Sequence, residues 1–166
     1  TWYAHDPDPT WGGRFGFRDR FSVAAPVAGD RRGAPLLVVL HWRGAGWPGK
    51  GVDLQTSVVD EKNRVFSAPD DFYVLTLDDM RDYNVALGRT HDEYWWGATP
   101  DYAGPTAADV PRLMKRETSC ERRVLDCVEW TVRKLGCDRN RVYICGNSMG
   151  GQAAEAIGLA HGEVFA

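Results

Sequence analysis

"RVYICGNSMGGQ", residues 141–152, is the stretch whose reading decides the fold. A short apolar run ends abruptly in a serine fenced by glycines, and "SMGGQAAEAIGLAHG", helical in composition despite its glycines, starts at that serine. A strand that gives way to a helix with no loop between them must turn sharply. Gly146-Asn147-Ser148-Met149-Gly150 fits G-x-S-x-G, the spacing that turn requires: glycines two before and two after leave room for the adjoining strand and helix, while the strained turn lifts the serine hydroxyl above the sheet edge. The next amide, that of Met149, then opens a helix, where it can donate to a developing oxyanion. Ser148 is therefore the candidate nucleophile.

Working outward, two more buried strands flank this unit. "PLLVVLHW", residues 35–42, and "FYVLTLD", residues 72–78, are continuous apolar runs of the kind a parallel sheet covers on both faces. Between them "RGAGWPGKG" is a loop, and Leu54, Val58, Val65 and Phe66 fall near helical spacing. A helix is expected over about 53–67, N-capped by Asp53 and closed by Pro69. Thr118 with Glu121 forms a capping-box pattern ahead of an apolar stripe, Val124, Leu125, Val128, Val132 and Leu135, and Gly136 suits the C-cap. Residues 79–118 show no sustained period. So long a stretch without elements is unusual in a compact domain and points to a functional segment or to weakly patterned elements. Upstream, "FGFRDRFSVAAP" alternates as an antiparallel edge strand does, and "GDRRGAP" is a turn. The order strand, helix, strand, long loop, helix, strand, helix predicts an α/β fold with a mostly parallel sheet and flanking helices. Residues 1–34 form edge strands and turns, and residues 35–166 form strand–helix units of one domain with the elbow at 146–150.

Composition removes several function classes. The 166 residues are 43% hydrophobic with a formal net charge of −3, enough to bury a core and without the clustered basic charge of a nucleic-acid binder. No apolar run reaches the roughly 18–20 residues that span a bilayer. The chain starts at Thr1 without a methionine, so an upstream segment is expected. No Cys or His spacing fits a zinc site, and neither a metal nor a cofactor is expected. Cys145 reads as a buried strand thiol. Cys120 and Cys127 would share a helix face about 10 Å apart, too far for a disulfide to each other in that state. Pairing among Cys120, Cys127 and Cys137 otherwise stays open.

Three stretches resemble α/β-hydrolases, and within them the secreted serine esterases that include polyhydroxybutyrate depolymerase-like and feruloyl or acetylxylan esterase-like enzymes. "PLLVVLHW" is similar to the strand that ends in a His-Gly pair and leads into the oxyanion loop. "DRNRVYICGNSMGGQ" is similar to the nucleophile strand and elbow, and "HGEVFA" to the segment closing the elbow helix. Together they cover 29 of the 166 residues, about a sixth of the chain. The resemblance implies a serine esterase in which Ser148 attacks the ester carbonyl and the amide of Met149, joined by that of Arg43 or of Trp42, holds the oxyanion. It implies secretion and no cofactor. The chain departs from the pattern at Trp42, which stands where the family has glycine.

A second departure is larger. In this superfamily the triad runs Ser, then Asp or Glu, then His along the chain. Only 18 residues follow Ser148, and His161 lies at the far end of the expected elbow helix, running away from the site. His41, beside the oxyanion loop, has a structural part in the family. A nucleophile and an oxyanion hole are thus present without a general base, and a serine hydroxyl without one is weak. "RVYIC" would also be left at a sheet edge with unpaired amides. The expectation is the N-terminal half of a hydrolase domain, its triad His and acid lying outside residues 1–166. A sheet completed by a partner chain or a homodimer is the alternative.

Seven tryptophans are many for this length. Trp42 and Trp47 flank the oxyanion loop, while Trp95 and Trp96 sit in the long segment after the second parallel strand, where loops form the rim of the site in such folds. Trp47, Trp95 and Trp96 are candidate substrate-stacking residues for a carbohydrate-linked or polyester-type ester. The opposing reading is that one or both of Trp95 and Trp96 pack the segment down. Other functions open on the same elbow are a serine peptidase, an acyltransferase, a binding module without a triad and a carbohydrate-binding protein.

Overall fold

The computed structural model describes residues 2–5, 19–42, 68–77, 80–84, 89–92, 95 and 117–166. Its strands are β1 (Trp2–His5), β2 (Asp19–Ala24), β3 (Leu36–Leu40), β4 (Tyr73–Leu77), β5 (Met80–Asn84), β6 (Arg89–Asp92) and β7 (Val142–Gly146). Among the described residues two helices accompany them, α1 (Ser119–Leu135) and α2 (Met149–Ala160). Five strands form one sheet in the order β1-β2-β4-β3-β7, with β3 parallel to both β4 and β7. The expected α/β architecture is present. The helix expected over 53–67 with its Asp53 cap and the loop at 43–50 that follows β3 lie outside the described residues.

Two expectations are corrected. The segment 19–24 is not an edge strand: β2 pairs antiparallel with β1 on one side and with β4 on the other. Its alternation reads half-buried because Ser22 occupies the second face of the sheet, where its hydroxyl meets that of Thr76 at 2.5 Å. The stretch 79–118 is not without elements either, since β5 and β6 pair as an antiparallel hairpin. "MRDYN" and "RTHD" carry no apolar face, so periodicity had nothing to register.

Each strand points alternate residues to opposite faces. One face, with Phe21, Val23, Leu36, Val38, Leu40, Tyr73, Leu75, Leu77 and Val142, packs against both helices. From α1 come Val124, Cys127, Val128 and Val132, and from α2 Met149, Ala153, Ala154 and Ile157. Phe21 and Trp130 meet edge-to-face at 5.2 Å. Fully burying a Leu or Val here contributes roughly 1.5–3 kcal/mol. The opposite face is a smaller apolar patch of Val39 and Val74, with Leu37, Ala24, Ala68 and Cys145 around it. None of the four cysteines forms a disulfide, and Cys145 is half-buried rather than fully buried.

The expected caps of α1 are formed. Thr118 accepts from the Glu121 N–H at 3.1 Å, the Glu121 carboxylate accepts from the Thr118 N–H, and Gly136 ends the helix at φ 71°. Among the described residues no helix is long and apolar enough to cross a membrane.

Topology fixes where a site can sit. In the parallel register Leu40 lies opposite Gly146, so the chain leaving β3 at His41 runs beside the chain leaving β7 at Asn147. From β3 the sequence continues to β4 on one flank. From β7 it runs through α2 and returns to the other flank. There Ala166 N–H donates to Val142 O at 2.9 Å, whereas the Arg141 carbonyl one residue earlier accepts from Leu36 on the β3 side. Neighbouring strands whose connections diverge open a crevice at their carboxyl ends, the usual ligand position in open α/β sheets.

Candidate active site

Ser148 sits at the turn from β7 into α2 with φ 53° and ψ −118°, a conformation that costs a non-glycine residue on the order of 1–3 kcal/mol. It is exposed, and although it occupies the N-cap position its side chain makes no capping hydrogen bond. The turn is held by backbone instead, Gly150 N–H to Asn147 O at 3.0 Å and Gln152 N–H to Ser148 O at 3.1 Å.

The flanking glycines are there for space. A Cβ on Gly146 would lie 2.1 Å from the Gly150 carbonyl oxygen. One on Gly150 would lie 2.1 Å from Leu40 O and 2.6 Å from His41 O. These neighbours are backbone and cannot swing aside, so only glycine allows the elbow to press against the end of β3. Met149 anchors the turn with a buried side chain, and its N–H, as the first of α2, has no acceptor one helical turn back. It stands next to Ser148.

Across the crevice the end of β3 is tightly determined. His41 is 1% exposed, and its Nδ1–H donates to Trp42 O at 2.7 Å; a carbonyl only accepts, which fixes the proton on Nδ1. Trp95 Nε1–H donates to His41 O at 3.1 Å, and the two rings pack tilted with centroids 5.0 Å apart. Trp95 is 2% exposed. This corrects the expectation that it lines the substrate rim: its face is used up inside the core, and its N–H is spent on the β3 terminus. Trp42 is half-buried at the crevice. Arg43, Trp47 and Trp96 lie outside the described residues.

The structure separates His161 from Ser148 by the whole of α2, about 18 Å of helix. His161 Nδ1 instead faces Glu163 Oε1 at 3.3 Å. The Glu163 carboxyl is held below its ordinary range, first by its own backbone N–H and then by His161. Among the described residues no cluster of three or more His, Cys, Asp or Glu is arranged to hold a metal ion. Burial pushes the Cys145 thiol up to about 11, so this neighbour of the elbow is an inert thiol at neutral pH. Sequence reasoning missed the grip of Trp95 on His41. Its only outward sign was an aromatic cluster, "EYWWG", of no period.

No protein-family model and no curated protein sequence matches this chain. Solved structures do. S-formylglutathione hydrolase from Agrobacterium tumefaciens is similar at TM-score 0.63 and 14% identity, over 99% of this chain and 54% of that one. A ferulic acid esterase from the anaerobic fungus Anaeromyces mucronatus is similar at TM-score 0.59 and 13% identity, over 99% and 55%. A thermostable esterase is similar at TM-score 0.56 and 19% identity, over 100% and 39%. The chain thus spans about half the length of the solved structures it resembles, and it has the mostly parallel sheet and flanking helices of the α/β-hydrolase fold.

Proposed function

We propose that the protein carrying this chain is a serine hydrolase that cleaves carboxylic esters through an acyl-enzyme on Ser148. The observation that carries the reading is the strained, exposed Ser148, whose hydroxyl is not spent on the helix it caps, beside an amide at a helix N-terminus. In this mechanism Ser148 Oγ attacks the ester carbonyl while its proton passes to a histidine. The oxyanion rests on Met149 N–H and on a second amide, Trp42 or Arg43. Collapse of the tetrahedral intermediate breaks the ester C–O bond, and the alcohol leaves with the histidine's proton. Water then repeats the sequence on the acyl-enzyme, releasing the acid.

The histidine and its Asp or Glu belong to the proposal as residues outside 1–166, on a segment that docks against the edge of β7 facing away from β3. The hydrogen bond from Ala166 N–H to Val142 O supports this, since it already begins a pairing on that edge. The finer reading is a carbohydrate-linked or polyester-type substrate met outside the cell, with Trp47 and Trp96 as stacking surfaces. The similar structures include an S-formylglutathione hydrolase, a ferulic acid esterase and an acylaminoacyl peptidase, so hydrolysis is the shared element and the acyl group is open to test.

The deciding experiment is denaturing intact mass of the full-length protein before and after a fluorophosphonate, with Ser148→Ala alongside. One adduct on the wild type and none on the variant is the expected result. No adduct on either overturns the nucleophile assignment and favours a binding module without a triad. Given an adduct, turnover of feruloyl, acetyl-xylan and polyhydroxybutyrate esters against a peptide anilide sorts the substrate class.

A further inference from the structure

Trp95 and Ser148 are the two non-glycine residues with positive φ among the described residues, at 62° and 53°. A bulky aromatic in that region is an outlier, held only when its surroundings over-determine it. Both lie at the carboxyl end of the sheet, and both bear on the same peptide unit. Gly150, two residues after the serine, abuts the His41 carbonyl. Trp95 Nε1–H donates to that same carbonyl from 54 residues away, and its ring packs on the His41 imidazole.

The His41 carbonyl and the Trp42 N–H belong to one planar trans peptide, so fixing the oxygen fixes the direction of the N–H. The next carbonyl, Trp42 O, is fixed in turn by His41 Nδ1–H. The chain leaving β3 is therefore held at two successive peptide planes, where the second oxyanion donor must come from. An oxyanion hole works because its donors are already aimed and need not reorganise. Trp42, standing where a glycine would permit close approach, does not supply this order by itself.

We infer that Trp95 is a positioning residue for the oxyanion hole: its indole N–H, held by a strained backbone, locks the His41–Trp42 peptide so that the amide donor of the β3 loop is preset. The inference rests on the serine-hydrolase reading above. It differs from a packing role in a measurable way. A preset oxyanion donor acts in the transition state, so its loss lowers kcat and leaves KM nearly unchanged, whereas lost packing lowers the amount of folded protein.

The test uses the full-length protein, with kcat expressed per active site titrated by fluorophosphonate. Two changes remove the indole donor: Trp95→Phe, and β-(3-benzothienyl)alanine in place of Trp95, which keeps the bicyclic shape. Both are expected to lower kcat roughly 10- to 100-fold with KM within about twofold. Hydrogen exchange in the peptide covering residues 36–42 is expected to quicken while exchange in β7 does not. Wild-type kcat in the benzothienyl protein overturns the inference even if Trp95→Phe fails to fold. An unreactive wild type overturns the hydrolase reading and this inference together, whereas a reactive wild type with unaffected variants overturns the inference alone.

Discussion

The two helices among the described residues begin with the same kind of residue and use it in opposite ways. Thr118 opens α1 from ordinary extended backbone, φ −79° and ψ 162°, with its hydroxyl bonded to the Glu121 amide. Ser148 opens α2 from a left-handed φ and makes no capping bond. A hydroxyl at an N-cap normally satisfies one of the orphan amides of the first turn, worth about 1 kcal/mol. α1 takes that stabilisation. α2 forgoes it, keeping its serine exposed beside the first amide of the helix, which is the arrangement a nucleophile and its oxyanion donor need. What differs is the backbone that delivers each residue. Thr118 enters along a chain that can relax to a favourable N-cap geometry. Ser148 enters on a strand that must turn at once, between glycines pressed against backbone.

The largest expected effect tests that pressure. Gly150→Ala places a methyl 2.1 Å from Leu40 O and is expected to destabilise by ~3 kcal/mol or more, with loss of fluorophosphonate labelling. Gly162→Ala, with nothing within 4 Å of its new Cβ, should stay within about 0.5 kcal/mol in the same urea titration. Equal effects would mean the elbow is not tightly packed. Next come the two caps themselves. Thr118→Ala should lose about 1 kcal/mol, whereas Ser148→Gly should gain about 1 kcal/mol by relieving the positive φ, net of glycine's entropy. Thermal melts giving the same sign for both would break the comparison.

A smaller effect concerns the strand that feeds the elbow. Burial raises the thiols of Cys137 and Cys145 to about 11. Raised folded values stabilise fully below the ordinary thiol pKa of about 8.5, and that contribution is lost as pH climbs toward the folded values. Native Cys145 should alkylate with iodoacetamide at pH 8 roughly 100-fold more slowly than an exposed thiol, and the melting temperature should fall between pH 9 and the folded values. Fast alkylation would mean that the thiol beside the elbow is activated rather than inert.

The smallest effect lies at the opposite end of β7. Arg141 Nε donates to Asp138 at 2.8 Å, and this bond, followed by the Asn140 N–H, holds the Asp138 carboxyl below its ordinary value. A depressed folded value stabilises above the ordinary Asp pKa of about 3.9 and is lost as pH falls through the folded one. Asp138→Asn should therefore weaken the protein slightly at pH 7, and the difference from wild type should vanish in acid. A gap that persists at low pH would assign the effect to shape rather than charge.

Some of this was written locally and could be read locally. The capping box, the stripe of α1, the apolar strands and G-x-S-x-G depend on neighbours within about one helical turn, so sequence by itself determined the elements they build, the position of the candidate nucleophile and the need for glycine around it. Other features depend on partners far along the chain. That β2 lies inside the sheet, that β5 and β6 pair without an apolar face, and that Trp95 is buried against His41 were decided only by the tertiary structure. The hydroxyl contact from Ser22 to Thr76 and the indole bond from Trp95 to His41 each span 54 residues. No periodicity encodes such a meeting, because the free energy that brings the two residues together comes from the packing of the whole sheet. The same physics explains why Trp95 read as a surface for substrate: a tryptophan looks the same in the sequence whether its ring faces solvent or the end of a neighbouring strand.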